Sequence, residues 1–148
     1  MKHFFAVLTV IFAAVMTHAQ YAAPNQIPAY HMARPVAATK LPPILTEKQL
    51  AEQGMIAPAQ KEAYKAAARV SSVVYQMPCY CYCDRNHGHT SLRSCFESTH
   101  GANCSTCMQE ALYSYRQSKR GSSAKMIRDG IERGDFKMID LQNVPPIQ

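Results

Sequence analysis

All six cysteines of this 148-residue chain fall between residues 79 and 107, and none lies elsewhere. A fold that gathers six sulfurs into so short a stretch must do one of two things with them. It oxidises them into bridges, or it holds them as thiols and thiolates around something. The stretch reads Met77-Pro78-Cys79-Tyr80-Cys81-Tyr82-Cys83, then His87-Gly88-His89, Cys95-Phe96, His100 and Cys104-Ser105-Thr106-Cys107-Met108. In an extended chain residues i, i+2 and i+4 share a face, so Cys79, Cys81 and Cys83 are expected to form a three-sulfur ribbon. On a helix i and i+3 are neighbours, so Cys104 and Cys107 face together, with Met108 one turn from Cys104.

Thiolate and thioether donors select Cu(I), Zn(II) and related soft ions. The expected metal ligands are Cys79, Cys81, Cys83, Cys104 and Cys107, with Cys95 and His89 next. His87 and His100 are expected to be solvent-exposed. Met77 and Met108 are expected to fill the core. Tyr80 and Tyr82, alternating with the sulfurs, are expected to face the other way and pack against helices. The acids Asp84, Glu97 and Glu110 are scattered, which disfavours a hard-ion site.

The disulfide alternative stands beside this at equal weight. An exported small domain normally oxidises its cysteines, and six allow 15 pairings that spacing does not sort. Its simplest form joins the ribbon sulfurs to Cys95, Cys104 and Cys107. A third reading makes Cys104-x-x-Cys107 a redox dithiol, but the βαβ context of such enzymes is missing. Walker A, GxGxxG, GxSxG and HExxH motifs are missing as well, and this removes the common nucleotide-binding and hydrolase signatures. The expectation is a protein that is not an enzyme.

Export is expected from the N-terminus. Met1-Lys2-His3 precedes an apolar run from Phe4 to Met16, and small residues at Thr17 and Ala19 set a cleavage site, so residues 1–19 read as a signal peptide. The run is shorter than the roughly 20 residues of a membrane span. No cysteine follows it, so it is not a lipoprotein signal. The mature chain is expected in the periplasm or outside the cell, with no membrane span after cleavage. The net charge of +6 contains no long Lys or Arg run, so no nucleic acid is expected as a partner. A metal ion, and a protein that donates or accepts it, are the expected partners.

Residues 20–45 carry Pro24, Pro28, Pro35, Pro42 and Pro43 and read as a flexible Pro/Ala-rich lead. His31 and Met32 lie in it. A Cys-rich helical domain spans 46–140, followed by a loose tail at 141–148. Thr46-Glu47-Lys48-Gln49 is a capping box, and Gly54 ends that helix. Pro58 opens a second helix to about Arg69, with Tyr64, Ala67, Ala68 and Val70 as its stripe. Ser71 to Met77 is β-branched and reads as extended. Thr90 caps a short helix through Leu92, Cys95 and Phe96, and Gly101 breaks it. Cys104 to Ser118 reads as the best helix, with Cys104, Cys107, Met108, Ala111, Leu112 and Tyr115 on one face. Ser122 or Ser123 caps a last helix with Met126, Ile127 and Ile131, ending near Gly134. The fold class is therefore mostly α: one small domain of short helices around an irregular cysteine-rich loop.

At Pro78-Cys79-Tyr80-Cys81-Tyr82-Cys83 the chain resembles a bacterial family of exported proteins and lipoproteins named for its PCYCGC motif. The resemblance continues through Gly88-His89, Cys95-Phe96 and Cys104-Ser105-Thr106-Cys107 into the helices beyond, over roughly residues 58 to 136. Tyr82 stands where the family's name has Gly, and the lipidation cysteine is missing. The resemblance implies a shared cysteine site and an exported location, and no reaction.

Overall fold

The computed structural model describes residues 26–37 and 39–148. The expected signal peptide, and the lead before Gln26, lie outside the described residues. Among the described residues six α-helices follow one another: α1 (Glu47–Glu52), α2 (Pro58–Arg69), α3 (Ser71–Val74), α4 (Cys83–His87), α5 (Ser105–Lys119) and α6 (Ala124–Arg133). Three 3-10 helices, Leu92–Phe96, Thr99–Asn103 and Asp135–Met138, fill the connections. Among the described residues there is no strand, and no helix is long and apolar enough to cross a membrane.

The helix starts follow local chemistry. Thr46 Oγ1 accepts from the Gln49 N–H at 3.3 Å, and Gln49 Oε1 accepts from the Thr46 N–H at 2.8 Å. This reciprocal pair satisfies two amides that a helix start otherwise leaves unbonded. Pro58 takes the first position of α2, where its missing N–H costs nothing. Ser123 Oγ accepts from the Met126 N–H at 3.3 Å, and Gly134 closes α6 in the left-handed conformation.

The core forms where α2 lies on α5. Ala63, Ala66 and Ala67 are fully buried, and these small side chains let the two helices approach closely. The buried stripe of α2 runs through them and Tyr64, while Ala68 is exposed rather than inward. Leu50, Met77, Leu92, Phe96, Leu112, Ile127 and Ile131 complete the interior, all at 0–1% exposure. Full burial of each such side chain is worth about 1.5–3 kcal/mol.

Ser71 to Met77 is not extended. Val74 and Tyr75 donate to Val70 O (3.0 Å) and Ser71 O (3.1 Å), making the helical turn α3. Pro78 restricts only the residue before it, so Ser71–Val74 is free to close this turn, which buries Val74. Local β preference yields to packing here. The short helix after the cysteine run is a 3-10 helix, with Ser91 rather than Thr90 at its N-cap.

The lead has no regular element, yet its described part touches the domain. Ala29 N–H donates to Asp84 Oδ2 (3.0 Å), the Arg93 guanidinium donates to Pro42 O (2.7 Å), and Leu45 N–H donates to Phe96 O (3.0 Å). The His31 ring stacks on Tyr75 with centroids 3.8 Å apart. In the tail, Ile147 N–H donates to Glu62 Oε2 at 2.6 Å.

Candidate metal centre

The cysteine run is a turn rather than a flat ribbon. Tyr82 N–H donates to Cys79 O at 2.9 Å, and Tyr82 itself is left-handed at φ 57° and ψ 38°. It is the one non-glycine residue with positive φ among the described residues. The turn folds Cys79, Cys81 and Cys83 inward together, so they converge by curvature instead of by alternation. Cys79 and Cys83 are buried and Cys81 is half-buried.

Two long-range supports hold this turn. Met77 O accepts from the Leu92 N–H at 2.8 Å, which closes the base of the loop. From beneath, Glu110 Oε1 accepts from the Tyr80 N–H at 2.8 Å. Glu110 lies one turn past Cys107 on α5 and is fully buried. Burial pushes its carboxyl well above the usual carboxylate range. The sequence shows Glu110 as one scattered acid; only the pairing with Tyr80, 30 positions away, gives it a role.

The other side chains arrive on three further elements. Cys95 rides on the 3-10 helix Leu92–Phe96, and His100 on Thr99–Asn103. Cys104 is the N-cap of α5 and Cys107 lies in its first turn. The His100 segment is fixed from two sides. The Tyr64 hydroxyl donates to Ser98 O and accepts from the Ala102 N–H. Gly101 packs so tightly that an added Cβ would lie 2.8 Å from Cys95 O.

Around these supports the sulfurs crowd together. Cys79 Sγ lies 3.1 Å from Cys81 and 3.4 Å from Cys107; Cys81 Sγ lies 2.7 Å from Cys83 and 3.3 Å from Cys107. A disulfide bond is about 2.05 Å long, and all six cysteines are free. His100 Nε2 lies 2.9 Å from Cys83 Sγ, and His89 Nδ1 lies 3.3 Å from Cys95 Sγ. The His87 ring is exposed and stands with its centroid 4.5 Å from that of His100.

Three four-residue sets have ligand atoms within 4.8 Å of one another: Cys79, Cys83, Cys95 and Cys107; Cys81, Cys83, His100 and Cys107; and Cys83, His89, Cys95 and His100. The first set is wholly buried. A tetrahedral site with metal–sulfur bonds of about 2.3 Å separates its sulfurs by about 3.8 Å. Cys79 and Cys107, 3.4 Å apart, need spread by only a few tenths of an ångström to reach that separation. Cys104 belongs to none of the three sets. His100, expected to be exposed, is half-buried inside the cluster and joins two of them. Met77 is fully buried in the core, and Met108 is buried on α5.

Crowding sorts the thiols electrostatically. Hydrogen bonds with Cys104, then Cys79 and Cys81, hold Cys107 in its thiol form. Half-exposed Cys81 moves the other way, its thiolate favoured by hydrogen bonds from Cys104 and then Cys107. Cys83 is also lowered, chiefly through Cys107. Metal binding needs thiolates, so protons must leave the cluster as an ion enters.

Tyr80 and Tyr82 turn away from the sulfurs. Their rings meet edge to face at 6.0 Å, and the Arg85 guanidinium lies 4.0 Å above the Tyr82 ring. Both line a surface cleft with Thr106, Ile131 and Phe136.

The fold and site together define a small helical domain closed around a cysteine and histidine cluster that can hold a metal ion. The chain belongs to the family described as "Protein of unknown function with PCYCGC motif", whose model matches residues 36–137. Comparison with curated proteins and with solved structures returned no match. The family's motif glycine corresponds to Tyr82, and the left-handed backbone there is the conformation that glycine adopts without steric cost.

Proposed function

We propose that the chain is an exported metal-handling protein whose cysteine cluster holds a soft ion, copper(I) in first place and zinc(II) in second. The observation that carries this reading is the buried set Cys79, Cys83, Cys95 and Cys107, four thiols within reach of one ion. Thiolate donors favour these ions over hard ones. A buried position shields the bound ion from water and from exchange. Export is supported by the N-terminal residues 1–19 and by the resemblance to exported relatives. The partner is a metal ion, together with a protein that delivers or receives it.

Anaerobic titration of the reduced protein with copper(I) or zinc(II) against a chromophoric chelator tests this. Retention of at least one ion against the chelator is the expected result. Loss of every ion to a weak chelator overturns the reading.

A further inference from the structure

The cluster contains more donors than one ion can use. The three ligand sets together comprise seven residues: Cys79, Cys81, Cys83, Cys95, Cys107, His89 and His100. A tetrahedral ion takes four ligands, so two such ions need about eight positions. These seven donors fill eight positions when one of them is shared; Cys104 stands beside them but belongs to none of the three sets. A thiolate, with several lone pairs, bridges two soft ions readily, whereas an imidazole nitrogen has one. Cys83 is the only residue present in all three sets. Its Sγ lies 2.7 Å from Cys81 Sγ and 2.9 Å from His100 Nε2, between the thiol-only and the histidine-bearing donors.

We infer that the site is dinuclear, with the Cys83 thiolate bridging an inner and an outer ion. This rests on the soft-metal reading above. The inner ion takes Cys79, Cys83, Cys95 and Cys107, all buried. The outer ion is fixed by Cys83 and His100, the two residues common to both mixed sets, with Cys81 from one of those sets and His89 from the other as the further donors. Cys81, His89 and His100 are half-buried, and exposed His87 stands against His100. An incoming ligand therefore reaches the outer ion first. The two ions have different jobs: the inner one holds the cysteine loop to α5, and the outer one exchanges with the partner. Each ligating thiol releases its proton to water as its metal–sulfur bond forms, and no redox step is required.

Cadmium-113, a soft ion that serves as a spectroscopic stand-in, reads this directly. The reduced full chain is loaded anaerobically with 113Cd and examined by 113Cd NMR and by correlation to cysteine β protons. The expected result is two cadmium resonances, with the Cys83 β protons coupled to both. The joint variant His89→Ala/His100→Ala should reduce two resonances to one while retaining the tetrathiolate signal. On stepwise addition of chelator, the histidine-bearing resonance should vanish first. A single resonance in the wild-type chain, or two with no shared cysteine, overturns the bridged pair while leaving the metal reading intact. Loss of both signals together, or of the tetrathiolate signal first, overturns the assignment of the exchanging ion. Absence of any protein-bound cadmium overturns both readings.

Discussion

His100 Nε2 lies 2.9 Å from Cys83 Sγ, although 17 positions separate the two residues in the chain. The contact exists because Tyr64 on α2 holds the segment carrying His100, through Ser98 and Ala102, against the turn that begins α4. On this account the imidazole is a ligand. His100→Ala should therefore weaken binding of the outer ion at least about tenfold, since loss of even a supporting residue at a metal site costs about ten- to hundredfold. His87→Ala removes only a ring set edge-on to His100 and tilted against His89 and should leave affinity unchanged. Chelator competition on the two variants checks this, and equal losses would contradict it.

The left-handed backbone at Tyr82 makes an unusual prediction about glycine. At an ordinary position Gly is less stable than Ala by about 0.5–1 kcal/mol. At φ 57° the order should reverse, because a left-handed non-glycine residue costs roughly 1–2 kcal/mol. Both substitutions lose the same ring contacts with Tyr80 and Arg85. Tyr82→Gly should thus be about 1 kcal/mol more stable than Tyr82→Ala by denaturant unfolding. The opposite ranking would mean that the turn differs from the one described.

Glu110 is tested by two replacements. Glu110→Gln keeps an oxygen to accept the Tyr80 N–H and removes a carboxyl whose charged form burial disfavours. Its melting temperature should equal or exceed that of the wild type. Glu110→Ala strands the Tyr80 amide in the interior and should cost about 1–3 kcal/mol, besides the cavity it leaves. A Gln variant as unstable as the Ala variant would show that the carboxyl group does something other than accept that bond.

Gly101 has no room for a methyl group. A Cβ would lie 2.8 Å from Cys95 O and 3.1 Å from a Phe96 ring carbon. Gly101→Ala should force apart the two segments that carry Cys95 and His100, at a cost of about 1–3 kcal/mol. Thermal unfolding measures the cost, and metal affinity should fall with it. An unchanged melting temperature would contradict the packing described.

Helix boundaries were largely legible because they are local. Thr46, Pro58, Ser123 and Gly134 act through bonds and torsions within a few residues, and each stands at the helix end that its chemistry implies. The helix that the sequence places at Cys104–Ser118 runs Ser105–Lys119, with Cys104 as its cap. What escaped was non-local. Spacing alone presents Cys79, Cys81 and Cys83 as a flat ribbon; the turn is held by Leu92 and Glu110, which are distant in sequence. His100 looks like a loop residue until Tyr64 and Gly101 fix its segment. Ser71–Val74 looks extended because its β-branched residues carry that preference, which a buried turn overrode. The chemical type of the site could be read from its donors, but its membership required the fold.

The most direct test is a paired count on protein purified without oxygen after export in a host cell: bound metal by mass spectrometry, and free thiols titrated in denaturant. The account predicts at least one copper or zinc ion per chain together with about four or more titratable thiols, the number a thiolate site requires. A chain with no metal and no free thiols would contradict it, and the six cysteines would then be staples of the fold.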